Sequence, residues 1–226
     1  MAFSRKRHFI SDLYPDIAVV PECSQNSIQS FTEVGVDCRW FGANPQKGLG
    51  VLIAKPWRIS DFREPKSKWI VPIWVSGPID FLLLAVWSTR IHGSHDRSYI
   101  GQVWEAVRSN PDWFDGKPVL ICGDFNSNAI WDNTRKTNSH SSLLKFLAER
   151  HIVSAYHHYF SEPEGKEQQP THYFYHHKNR GFHIDYVFLP ERWAERIERV
   201  EIGEYRHWAK LSDHVPLLVE VNFGSG

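Results

Sequence analysis

VLICGDFNSN, residues 119–128, decides how this chain is read. An apolar run enters Gly123, and Asp124, Asn126 and Asn128 crowd its far end. Gly, Asn and Asp are ordinary turn residues, so one reading is a polar turn closing a strand. The other is a site for a hard cation and a phosphate. Mg²⁺ takes oxygen ligands, keeps several waters and is held by one or two carboxylates plus substrate phosphate.

Outward from that stretch, further apolar runs read as strands: DIAVVPE (16–22), GLGVLIAK (48–55), DFLLLAVWST (80–89), HIDYVFLP (183–190), ERVEIGEY (198–205) and HVPLLVEVNF (214–223). RSYIGQVWEAVRS (97–109) places Ile100, Val103, Trp104 and Val107 on one helical face, and SSLLKFLAERHI (141–152) is a second helix. The opening AFSRKRHFISDLYPD (2–16) reads as a helix stopped by Pro15. Strands interleaved with helices and apolar on both faces indicate buried sheets with helices over them. Consecutive strands without a helix between them favour two packed mixed sheets over one doubly wound parallel sheet. No repeat, low-complexity tract or linker divides the chain, so residues 1–226 are expected to form one domain.

Composition narrows the function. Apolar residues make up 42% of the chain, enough for a large core, and Lys plus Arg equals Asp plus Glu at 26 each. Zero net charge argues against tight non-specific binding to DNA but leaves room for a local basic groove. Cys23, Cys38 and Cys122 are too few for a disulfide framework and read as free thiols. No signal-peptide pattern opens the chain and no apolar run reaches a membrane span, so a cytoplasmic monomer that avoids membranes is expected.

Polar groups recur at strand ends: Glu22 after IAVVP, Asp124 with Asn126, Asp185 inside HIDYV, and Asp213 with His214 in SDHVP. A single acid after a strand is usually solvated, but several in one chain permit a division of labour. Glu22 can hold the metal, Asp124 can orient or deprotonate a water, and Asn126 can hold that water or a phosphate oxygen. A histidine whose second nitrogen meets a buried carboxylate is fixed in tautomer and made more basic, and Asp185 and His214 suit that pairing.

PDIAVVPE, GDFNSN, HIDYVF and SDHVPL follow one another over residues 15–217 in the order of the endonuclease/exonuclease/phosphatase superfamily, which the chain resembles. The resemblance implies a four-layered α/β sandwich, two mixed β-sheets packed face to face with helices outside. It also implies Mg²⁺-dependent hydrolysis of phosphate esters, with Mn²⁺ as the alternative ion. By motif, Glu22 binds metal and Asp213 lies beside it as a supporting or alternative ligand. Asp124 positions the nucleophilic water, Asn126 contacts phosphate, and His214, paired with Asp185, stabilises the pentacovalent phosphorus. Tyr99, at the start of the helix before the GDFN strand, matches a phosphate-contacting tyrosine, though a core tyrosine reads equally well.

The family pattern opens with a strand ending in a metal-binding Asn. No Asn precedes Asn26 here, so that strand and ligand are expected to be missing from the sequence as written. The strand AVWSTRIHG ends without the usual Asn or Thr-His pair, which leaves His92 as a phosphate contact or a plain loop residue. In THYFYHHKNRGFHIDY (171–186), His172, His176 and His177 lack nearby acid or Cys partners in sequence and do not make a zinc set. This segment reads instead as a loop beside the site, from which Arg180 and its aromatic neighbours can meet substrate. Asn128 is a further substrate-binding candidate or a cap of the next turn. A phosphate-ester substrate, DNA first, is the leading expectation. A small or lipid phosphate ester is the alternative, and a non-catalytic binding module on the same fold is the rival of another class.

Overall fold

The computed structural model describes residues 13, 15–63, 70–91, 93, 99–133 and 137–224. The helix expected over the opening residues lies largely outside them, as does His92. The strands are β1 (Ile17–Cys23), β2 (Asp37–Asn44), β3 (Lys47–Ile53), β4 (Arg58–Phe62), β5 (Ile70–Ser76), β6 (Phe81–Trp87), β7 (Val119–Asp124), β8 (Ile152–Ser154), β9 (His172–Tyr173), β10 (Gly181–Phe182), β11 (Asp185–Pro190), β12 (Ile197–Ile202) and β13 (Leu217–Val221). The helices are α1 (Gln25–Gln29), α2 (Ile100–Ser109), α3 (His140–Ala148), α4 (Ala155–Phe160), α5 (Glu191–Ala194) and α6 (Tyr205–Trp208). None of the described helices is long and apolar enough to cross a membrane.

One sheet has the order β4-β5-β6-β7-β11-β8 and is mixed, because β6 and β7 run parallel while its other pairs are antiparallel. The second layer holds the antiparallel sheet β1-β3-β2 and the β12-β13 pair. The period-2 alternation of strands explains the layering. In β6 every residue is buried. Leu82, Leu84 and Val86 pack with Val103 and Val107 of α2 and Leu143 and Leu147 of α3. Phe81, Leu83, Ala85 and Trp87 point the other way, into a core shared with Leu49, Val51 and Ile53 of β3 and bordered by Val219 and Val221 of β13. A third cluster, Cys23, Ile28 and Leu52 among it, seats α1 on the outside of the β1-β3-β2 sheet. The result is the expected α/β/β/α sandwich. Each fully buried aliphatic or aromatic side chain contributes about 1.5–3 kcal/mol to it.

Candidate active site

Three strand ends converge. Asp124, the last residue of β7, stands in register between Trp87 of β6 and Asp185 of β11. The strands approach closely here because Gly123 has φ +136° and its Cα lies against the carbonyl of Val86. The chain is held beyond the strand by Ser88 N–H donating to Asp124 O (2.9 Å) and Phe125 N–H donating to Ile184 O (3.0 Å). Asn126 then takes the left-handed conformation, φ +46°. Its backbone N–H donates to Asp124 Oδ1 (2.8 Å), and its Nδ2 donates to Asp124 Oδ2 (2.5 Å) and Ser88 O (3.0 Å). Asn is among the few residues that tolerate that backbone, which explains an amide at this position.

His214 reaches the cluster from the segment after α6. Its backbone bridges His172, Tyr173 N–H donates to Asp213 O (2.7 Å), and Val215 N–H donates to Thr171 O (2.8 Å). His214 Nδ1 is then 2.9 Å from Asp185 Oδ2, and its ring lies 4.6 Å, centroid to centroid, from that of His172. Burial disfavours the imidazolium, but the charge and hydrogen bond of Asp185, helped by Asp124 and Asp213, push its pKa up to about 10. Burial and the charge of Asp185 hold Asp124 well above the usual carboxylate range. Asp213 is held well below it, mainly by His172, whose Nε2 is 3.6 Å from its carboxylate.

A cleft of about 480 Å³ opens beside this cluster, lined by Glu22, Asn44, Lys47, Trp87, Thr89, Arg90, Tyr99 and Asn126 among others. Glu22 lies in the irregular stretch of β1 between the paired Val20 and Cys23, with φ +56°, and its carboxylate is 3.0 Å from Lys47 Nζ. Lys47 also lies over the Trp87 ring, 5.4 Å from its centroid. Tyr99 caps α2 with φ +51°, and its backbone N–H donates to Thr89 O (2.9 Å). It is partly exposed on the cleft wall rather than buried in the core. Lys47, Arg90 and Asn44 were not singled out in the sequence. No motif marks them, and only the pairing of β2 with β3 and the course of the chain after β6 bring them to this wall.

One expectation needs correction. Asn128 does not line the cleft: it is 1% exposed, its Oδ1 accepts from Ile130 N–H (3.0 Å), and its Nδ2 lies within bonding reach of Glu167, His183 O and Tyr186 Oη. Such a fully engaged buried amide has nothing left for substrate. Arg180 lines a shallow hollow with His177, Lys178 and Asn179, its guanidinium over the Phe174 ring, on the segment that pairs with Asp213 and His214 through His172 and Tyr173.

No curated protein matches this chain in sequence. Solved structures do match its fold. An AP endonuclease from Archaeoglobus fulgidus superposes with a TM-score of 0.71 at 16% identity, covering 97% of this chain and 94% of that one. A 3′-5′ exonuclease from Neisseria meningitidis gives 0.67 at 16% identity, covering 96% and 95%. TDP2 from Caenorhabditis elegans gives 0.64 at 12% identity, covering 96% of this chain and 67% of that one. At such identities the likeness speaks for the fold. The sequence model of the Endonuclease/Exonuclease/phosphatase family matches residues 7–214, nearly the whole length. The chain therefore belongs to the Endonuclease/Exonuclease/phosphatase family, a family of phosphoester-cleaving enzymes.

Proposed function

We propose that this chain is a Mg²⁺-dependent phosphodiesterase that acts on nucleic acid, DNA first, as a single catalytic domain. The observation that carries the reading is the hydrogen-bonded set Asp124–Asn126 and Asp185–His214 gathered beside the Glu22 cleft. Enzymes of this family generally depend on a divalent metal. The donors here suit a hard cation: Glu22, Asp124, Asp185 and Asp213 supply oxygens, and the charges of Asp185 and Glu22 both act on Asp124. Glu22 would hold the ion, and Asp213, whose carboxylate is 3.6 Å from His172 Nε2, would serve as a supporting or alternative ligand. When bound, the ion polarises a phosphoryl oxygen and makes a coordinated water more acidic.

The chain's own groups then have distinct tasks. Asp124, fixed by the two Asn126 donors, is placed to orient the attacking water or accept its proton. Asn126 fixes the Asp124 carboxylate with two donors and leaves its carbonyl oxygen for that water. His214, charged at neutral pH beside Asp185, offers its other ring nitrogen to the oxygen on which negative charge grows. Lys47, Arg90 and Tyr99 on the cleft wall are suited to phosphate oxygens and to the flanking chain. The relatives' DNA chemistry adds support, since the Neisseria 3′ phosphatase was solved with a product DNA hairpin.

The test is nicking of supercoiled plasmid in Mg²⁺, beside an EDTA control and His214→Ala, with a chromogenic phosphodiester and phosphomonoester in parallel. Nicking that needs both Mg²⁺ and His214 is expected. Turnover of the monoester alone replaces nucleic acid with a small phosphate ester, and no turnover of any ester by the folded protein favours a binding module.

A further inference from the structure

A second polar cluster lies outside that cleft. His140 opens α3, His157 sits in α4, Glu164 and Glu167 lie in the segment that follows, and His183 precedes β11. Most are deeply inside: the side chains of His140, Glu167 and His157 are 0%, 5% and 11% exposed, His183 is 3% exposed, and the Glu164 side chain is 27% exposed. Interior imidazoles and carboxylates are costly unless each polar atom has a partner. Here His140 Nε2, His183 Nε2 and Glu164 Oε2 have no hydrogen-bond partner.

The opposite ring nitrogens, by contrast, are held. His157 Nδ1 is 2.8 Å from Ser154 Oγ, His140 Nδ1 is 3.3 Å from Ser127 Oγ, and His183 Nδ1 is 2.9 Å from Gln169 O. A carbonyl only accepts, so His183 carries its proton on Nδ1 and presents a bare Nε2. Metal-binding imidazoles are prepared in this way, with the second nitrogen anchored by a polar neighbour.

The spacing fits a small cation. His157 Nε2 is 3.0 Å from Glu167 Oε1 and 3.2 Å from Glu164 Oε2, and the ligand atoms of these three residues all lie within 4.8 Å of one another. His140 Nε2 is 3.8 Å from the same Glu164 oxygen. Ligands about 2.0–2.1 Å from a tetrahedral Zn²⁺ stand roughly 3.3–3.4 Å apart, close to these values. Glu167 is also engaged by Gly165 N–H (2.9 Å) and Asn128 Nδ2 (3.1 Å), whereas Glu164 Oε2 and His140 Nε2 have no hydrogen bond.

We propose that His157, Glu164 and Glu167 form a site for one Zn²⁺-class cation, with His140 and His183 at its edge. Mixed imidazole and carboxylate donors suit Zn²⁺ better than Mg²⁺, and two carboxylates balance its charge. The ion joins α4 to the 161–170 segment, with His140 of α3 beside it. Its borders are Asn128 and His183, whose side chain and carbonyl meet there and which lie two residues from Asn126 and Asp185. Its role is to brace the strand ends that carry the catalytic groups.

The test uses the full chain, stripped with chelator and titrated with Zn²⁺ by calorimetry in excess Mg²⁺, so that the oxygen donors of the cleft do not compete. Co²⁺ serves as a spectroscopic probe. One equivalent of Zn²⁺, a tetrahedral Co²⁺ spectrum and a rise in Tm are expected for the wild type and for His214→Ala alike. His157→Gln, Glu164→Gln and Glu167→Gln should each lose at least about tenfold in affinity, and any one of them that folds decides the matter. Absence of Zn²⁺ uptake by the folded wild type overturns the proposal. So does uptake that survives these substitutions.

Discussion

His214 Nδ1 and Asp185 Oδ2 are 2.9 Å apart, although one residue heads β11 and the other follows α6. Asn in place of Asp185 keeps the shape and removes the charge that favours the imidazolium. Asp185→Asn is expected to lower turnover by about 10²–10⁴-fold, the range for a misplaced acid-base group. Initial rates beside His214→Ala provide the check, and equal rates in wild type and Asp185→Asn remove the pair from the mechanism.

The same pair sets a pH window for stability. The pKa of His214 is raised from 6.5 to about 10 on folding. A raised pKa stabilises the fold fully below the unfolded value, and that contribution is lost as pH climbs through the folded value. Urea midpoints in EDTA buffers should therefore fall between about pH 6.5 and 10, and Asp185→Asn should flatten the profile. The same fall in both proteins would assign it to other groups.

Gly123 is the point at which backbone geometry, not side-chain chemistry, builds the site. A Cβ there would sit 1.9 Å from Val86 O, and φ is +136°. Neither strand of the parallel β6–β7 pair can give way without opening the core on both faces. Gly123→Ala is expected to cost about 3 kcal/mol or more, as a lowered urea midpoint or as insoluble protein. A wild-type midpoint would show that the strands can separate cheaply.

Lys47 neutralises Glu22 across 3.0 Å on the cleft wall, and both side chains are more than half exposed. Glu22→Gln should therefore leave stability within about 0.5 kcal/mol while raising the Mg²⁺ needed for half-maximal rate. Lys47→Met should act in the opposite sense on the metal, lowering that requirement, and should raise KM for a phosphodiester. Mg²⁺ dependence of the rate and KM, measured on the same preparations, separate the two; parallel shifts would refute the assignment.

How much of this was legible in the sequence follows from how each part is encoded. β6 and β7 were readable because a strand buried on both faces is an unbroken apolar run, and Asp124, Asp185 and His214 because strand ends carry their own punctuation. β2 and β5 were not read. β2 is mostly half-exposed or exposed, and β5 carries Pro72, which argues against an interior strand when only the sequence is in view. Lys47 and Arg90 were invisible because their proximity to Glu22 and Asn126 is a property of sheet pairing. The histidine cluster escaped for the same reason. The sequence draws the eye to His172, His176 and His177, whereas the structure gathers His140, His157 and His183, which no local spacing connects.

Asn128 separates the two kinds of knowledge most cleanly. Read from the sequence, it either extends the polar hub of Asp124 and Asn126 toward substrate or caps the next turn. In the fold it is a buried joint: its Nδ2 is 3.1 Å from Glu167 Oε1, 2.9 Å from His183 O and 3.0 Å from Tyr186 Oη. Alanine there removes a cap and strands buried acceptors, each costing about 1–3 kcal/mol when left unmet. Asn128→Ala is therefore expected to lose about 2–4 kcal/mol in urea denaturation, with KM unchanged wherever the protein is still folded. A raised KM with an unmoved urea midpoint would return Asn128 to the substrate.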